Sequence, residues 1–255
     1  MVRRLLNTLD MKVLTLASCS LLVACGSSGG AASDADYDDV AQNVATSTAD
    51  KTGGDVNAML DVVLLASGDI PLGFTVGANG QANGSVLGVD FDFQVVCRNG
   101  QGAILVTCNP STQLADVKVD WGGTLSLPNF TTTMDRHGDW SLMNLQDSSV
   151  KLAGNGAFSY DSMITNVATS TTSAYHLDYD AAYMAVWIDK TTRLPTAGEI
   201  QYDITATKSV NGRQTGSFEV NADVQFNGDG TATIVLDGGH RYTLNLTTGS
   251  SLKLD

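Results

Sequence analysis

The chain has 255 residues, 14 Lys and Arg against 27 Asp and Glu for a formal net charge of −13, and a hydrophobic fraction of 43%. That is enough for one large all-β domain, or two small domains, around a buried core. Only Glu199 and Glu219 are Glu, while Thr and Gly occur 27 and 26 times; Asp, Gly and Thr suit turns and strands, which disfavours a mostly helical protein, and the negative balance lacks the basic footprint of nucleic-acid binding.

Residues 11–25 run from a positive start, Met11-Lys12, through a short apolar stretch to small residues, the pattern of an export signal. The apolar stretch is far below the roughly 20 residues needed to span a bilayer. Leu22-Val23-Ala24-Cys25 resembles the lipobox of bacterial lipoproteins. The resemblance is confined to this segment and implies cleavage of a signal peptide, residues 1–24, before Cys25, followed by acylation (palmitate) of that cysteine. Asp10 interrupts a start from Met1, so Met11 is the expected initiator. Cleavage leaves 11 basic and 26 acidic residues and a net charge of −15. In enteric lipoproteins Asp after the cysteine retains the protein in the inner membrane; Gly26 favours the outer membrane, with the domain facing periplasm or cell surface.

Residues 25–54 combine Gly26-Ser27-Ser28-Gly29-Gly30, the acidic run Asp34–Asp39 and a Thr/Ser/Ala stretch ending at Gly53-Gly54. Such a composition buries too little apolar surface to offset its ordering entropy, so a flexible tether is expected. A loose helix over 35–49 has no apolar stripe to support it. Asp55 then precedes Val56, Met59, Leu60, Val63 and Leu64, helical spacing with an N-cap candidate, which predicts one short helix over about 56–66 within a single β domain of residues 55–255.

Beyond Pro71 the period becomes two. Leu87, Val89, Phe91, Phe93, Val95 and Cys97 alternate with polar residues, as do Val117, Val119, Trp121, Leu125 and Leu127, the mark of half-buried antiparallel strands. From Ile200 to Leu246 every inward position is even-numbered. Opposed residues share a face, so the loops must hold odd numbers of residues, with midpoints near 212, 229, 239 and 249 where Gly recurs. These segments predict a continuous meander from about 198 to 254 within a total of about 11 to 14 strands, forming an antiparallel β-sandwich or barrel-like domain. A transmembrane barrel is disfavoured by the lipobox, by having only three Trp, and by the terminal Leu254-Asp255 where such barrels end in an aromatic residue.

Cys97 and Cys108 flank Asn99-Gly100-Gln101-Gly102. In an exported chain they read as a disulfide, which a hairpin centred between Gly102 and Ala103 would bring together. Several catalytic patterns fail on context. Gly26–Gly30 fits G-x-S-x-G without the strand and helix that motif requires, and Ser148–Lys151 and Lys51–Gly53 fit S-x-x-K and K-T-G in reversed order. His137, His176 and His240 lack partners at metal-ligand spacing, and Asp34, Asp36 and Asp38 begin a calcium loop that Asp39 and Ala45 break. No metal or cofactor is expected, and the acidic run reads as solvated charge.

The stretch Tyr175–Trp187 holds the one candidate ligand site. On a strand Tyr175, Tyr179, Tyr183 and Trp187 share one face and His176, Asp178 and Asp180 the other. Buried aromatics with solvent-facing acids are the simpler reading, but a binding role for Tyr175, His176, Asp178, Tyr179 and Asp180 follows if the aromatics are exposed. The expected function is that of a lipid-anchored outer-membrane protein with a noncatalytic structural, adhesive or binding domain. A carbohydrate-binding or other small-ligand module, or an enzyme whose site has no motif, are the alternatives, and the membrane is the partner through the lipid anchor.

Overall fold

In the computed structural model, residues 32–86, 88–166 and 170–254 are described. The lipobox, Cys25 and Leu87 lie outside them. Two helices, α1 (Asp34–Thr48) and α2 (Asp55–Ser67), precede twelve strands: β1 (Phe74–Val76), β2 (Gln81–Val86), β3 (Val89–Arg98), β4 (Leu114–Leu127), β5 (Phe130–Met143) and β6 (Ser149–Asn166), then β7 (Thr171–Asp189), β8 (Leu194–Val210), β9 (Arg213–Phe226), β10 (Thr231–Leu236), β11 (His240–Asn245) and β12 (Ser251–Lys253). All twelve form one antiparallel sheet in sequence order. The all-β meander inferred from alternation is therefore correct, and it extends over the whole chain from Phe74. It is one sheet and not two packed sheets.

The alternation gives the sheet an apolar face and a polar face. Inward residues from β3 to β11 join both helices in one core cluster, whereas the outward positions are Asp-, Thr- and Lys-rich and exposed. A transmembrane barrel needs an apolar band outside, so this face is wrong for lipid. The sheet must curl, because α2 packs against both β3 and β8 while α1 packs against β10, β11 and β12. The helices thus fill the concave side where a sandwich would place a second sheet.

The tether expectation is corrected here, since α1 is an ordered and half-buried helix. Ser33 and Asp36 form a capping box at its start, and Val40, Ala41, Val44, Ala45 and Thr48 are buried. The stripe exists, but its residues are too small to stand out from a tether-like composition. The acidic run is not solvated charge either. Asp39 accepts a hydrogen bond from Tyr175 at 2.6 Å, Asp38 one from Tyr242 at 2.7 Å, and Asp36 pairs with Lys208. Tyr37 stacks on His240 with ring centroids 3.8 Å apart, so His240 is a packing residue. Together these contacts clamp α1 across β7, β8 and β11, and Lys253 of β12 pairs with Asp38 at 3.1 Å.

An elbow at residues 49–54 turns α1 into α2. The Asp50 and Lys51 N–H groups donate to Leu246 and Thr247 carbonyls at 2.8 and 3.0 Å. A Cβ on Gly54 would lie 2.4 Å from the Ser47 carbonyl oxygen, so the tight elbow requires glycine. Gly54 is the N-cap of α2 and Asp55 its first residue, so the helix begins one position earlier than expected, which frees the Asp55 carboxylate to point inward.

The even parity holds through Phe218, Val220, Ala222, Val224 and Phe226 and their partners, but two tips differ. Near 212 the turn is two residues, Asn211-Gly212, and a bulge beyond Lys208 restores the parity. Near 249 Leu244 opposes Ser251 across a longer loop. The disulfide forms between Cys97 and Cys108, yet no hairpin carries it; β3 meets this loop through the single bridge Arg98–Ile104, and Cys97 pairs with Ala115 of β4. Leu127, expected inside, is exposed.

Candidate functional site

Strand β7 carries the predicted site residues, and its two faces have opposite fates. Tyr175, Tyr179 and Tyr183 are all buried, so the aromatic platform is core. Trp187 does not share their face: the β7 register shifts between Met184 and Trp187, with Ala185 at φ 51°. This bulge inserts one residue and turns Trp187 outward. Opposite it, a Cβ on Gly198 would lie 2.2 Å from the Ala185 carbonyl oxygen, so the partner strand accommodates the bulge through glycine. The grouping of Tyr175 and Tyr179 with His176, Asp178 and Asp180 as one ligand site is thus overturned.

The buried tyrosines instead serve an interior polar centre. Asp55 accepts hydrogen bonds from Arg136 at 2.5 Å, Tyr183 at 2.7 Å and Tyr202 at 2.6 Å. Arg136 also donates to the Ser47 carbonyl at 2.8 Å and stacks over Phe158 and Trp121 at 4.1 and 4.5 Å. Burial opposes its charge, but the Asp55 carboxylate and the surrounding phenols more than compensate and hold the guanidinium protonated. Burial pushes the Tyr183 and Tyr202 hydroxyls up, and the neighbouring Asp55 charge adds to it. The centre ties β5, β7 and β8 to both ends of the elbow. Residue spacing could not reveal it, because its members are up to 147 positions apart.

The acidic half of the predicted set lies on the convex outer face. Asp178 and Asp180 join Asp203, Thr205, Glu219 and Asn221 around a hollow of about 480 Å³ above Ala157, whose small side chain leaves the space. Asp180 stands directly opposite Asp203. A second hollow of about 630 Å³ holds Thr75, Asn83, Ser85, Asp90, Asp92, Asp120 and Asp135, with Asp92 opposite Asp120. At a cross-strand separation of about 5 Å each like-charged pair costs about 1 kcal/mol even in water.

Two histidines temper this face. His137 bonds Asp120 at 2.8 Å, and His176 lies 2.9 Å from Asp161 and 3.4 Å from Asp178. The Asp161 hydrogen bond raises the His176 pKa, partial burial opposes it, and the Asp178 charge adds to the rise. Asp90, Asp92, Asp135, Asp180, Asp203 and Glu219 have no hydrogen-bond or ion-pair partner among the described residues. Nor do any three His, Cys, Asp or Glu side chains among the described residues form a group that could hold a metal ion. What the face offers is a broad negative potential over rigid strands. Comparisons with family models, curated proteins and solved structures find no match to this chain.

Proposed function

We propose that this chain is an exported outer-membrane lipoprotein, anchored by acyl chains on Cys25, whose β domain is a noncatalytic binding module that presents its acidic convex face to a cationic partner. The observation that carries the binding reading is the juxtaposition of carboxylates at Asp92–Asp120 and Asp180–Asp203, where only Asp120 has a partner, His137, among the described residues. The inward face and the clamp of α1 already hold the fold together, and repulsion across the outer face only subtracts from it. Such a face raises the local concentration of cations and steers basic partners toward it. The anchor reading is supported by the lipobox Leu22-Val23-Ala24-Cys25.

Three measurements test these halves. Labelled palmitate should enter the wild type and not Cys25→Ser, which should leave the membrane fraction; an unlabelled wild type would refute the anchor. Protease treatment of intact cells distinguishes cell surface from periplasm. Polylysine should bind the domain in low salt and lose affinity steeply as salt rises, more weakly for Asp180→Asn/Asp203→Asn. Equal affinity of that variant and the wild type would refute a recognition role for this hollow.

A further inference from the structure

At the β1 end of the sheet, an apolar cavity of about 380 Å³ opens between α2, the β1–β2 hairpin, β3 and the disulfide loop. Leu65, Ala82 and Val95 line it, with Ile70, Val76 and Val106. The last three are exposed, Val106 by 94%, and they come from separate segments. Its volume is in the range of ligand-binding cavities, about 300–1,000 Å³.

The cavity lies beside a free sheet edge. Among the described residues β1 pairs only with β2, and Phe74-Thr75-Val76 offers that edge neither charge nor proline, the usual guards against strand addition. Val76 belongs to the inner face and lines the apolar cavity. Thr75 points the other way and lines the acidic hollow with Asp90 and Asp92. A strand laid along β1 would therefore send alternate side chains into two opposite environments.

We infer that β1 is a strand-addition site for an extended peptide segment that alternates apolar and basic residues. The apolar side chains enter the cavity below Val76 and Val106. The basic ones lie over Thr75 and Asn83 toward Asp92. Three interstrand spacings, about 14 Å, separate an added strand from β3, more than a Lys or Arg stem spans, so the basic ends respond to the Asp90 and Asp92 potential and not to direct contact. This inference rests on the reading of the convex face as a cation-binding surface and specifies the form of the partner.

The test uses the full domain and a labelled acetyl-Lys-Val-Lys-Val-Lys-Val-Lys-amide peptide, followed by fluorescence anisotropy. Two controls accompany it: a block peptide of the same composition, and an alternating Glu/Val peptide. The alternating basic peptide should bind at least about tenfold tighter than either control, equivalent to about 1.4 kcal/mol. Val76→Lys, and separately Val106→Asp in the loop outside the sheet, should each remove that margin while circular dichroism is unchanged. Amide exchange at Val76, whose N–H faces the free edge, should slow on binding. If the block peptide binds equally and neither substitution matters, strand addition is wrong while the cation-binding face survives; if neither cationic peptide binds, both readings fail. Sedimentation showing self-association that Val76→Lys abolishes would assign the edge to a second copy and overturn the peptide reading.

Discussion

Replacing Asp55 by Asn should be the most damaging conservative substitution in this fold. Arg136 and Asp55 both have fully buried side chains, and Asp55 accepts from three donors at once, Arg136, Tyr183 and Tyr202. The amide keeps the shape but leaves the guanidinium without a counter-charge, and removing one partner of a buried pair costs about 3–5 kcal/mol. For a domain of this size 1 kcal/mol corresponds to about 2–4 °C, so Tm should fall by about 6–20 °C. Urea and thermal unfolding followed by circular dichroism measure this directly. Adding Arg136→Met should recover much of the loss, because the uncompensated charge is then gone and an apolar side chain meets Phe158 and Trp121. A loss below about 1 kcal/mol for Asp55→Asn, or a double variant as unstable as the two single losses summed, would refute the assignment of the pair as the interior lock.

Stability should also depend on pH through two aspartates of opposite sign. Burial raises Asp61 to about 7, with Arg193 opposing and Asp50 adding to the rise. The folded state therefore holds this proton more tightly than the unfolded state, and its contribution is present at acid pH and lost between about pH 4 and 7. Asp61→Asn should be more stable than the wild type at pH 8 and lack that decline; equal slopes in a pH series of urea melts would count against it. For Asp36 burial acts upward, but the Lys208 and Ser33 hydrogen bonds win and bring it down to about 2. Its contribution is present above about pH 4 and lost as pH falls toward 2, so α1 should detach first in acid, seen as loss of protection at Val40 and Val44 in amide exchange. Cys97→Ala/Cys108→Ala should lose about 3 kcal/mol by the chain-entropy model, matched by the wild type in reductant. Gly54→Ala should destabilise the elbow, because its new methyl meets the Ser47 carbonyl oxygen at 2.4 Å; an unchanged Tm would contradict the packing described there.

The strands were legible because the sheet has one wet and one dry face, so burial writes itself into the sequence with period two. From Ile200 to Leu246 the even positions are inside without exception among those named. At Trp187 the pattern misled because of a backbone irregularity. The bulge at Ala185 sends Trp187 to the opposite face from Tyr183, and its sequence trace is only the glycine at 198 on the neighbouring strand. Helix α1 was hidden for a different reason. Its stability comes from small apolar residues and from Asp–Tyr and Asp–Lys bonds to strands 136 to 204 positions away, so its local composition resembles a linker.

Three kinds of acid stand apart by position. Asp36, Asp38 and Asp39 fasten a helix to the sheet, Asp55 neutralises the buried Arg136, and Asp92 and Asp180 on the convex face have no hydrogen-bond or ion-pair partner among the described residues. Loss of charge in the first two groups should lower stability, because those carboxylates have partners that would be left unpaired. Loss of charge in the third should leave stability unchanged or raise it by relieving about 1 kcal/mol per opposed pair. Asp92→Asn and Asp180→Asn therefore separate the binding reading from a structural one: each should melt no lower than the wild type while cationic ligands weaken. A fall in Tm for either would place these residues with the structural acids and remove the physical ground for a recognition surface.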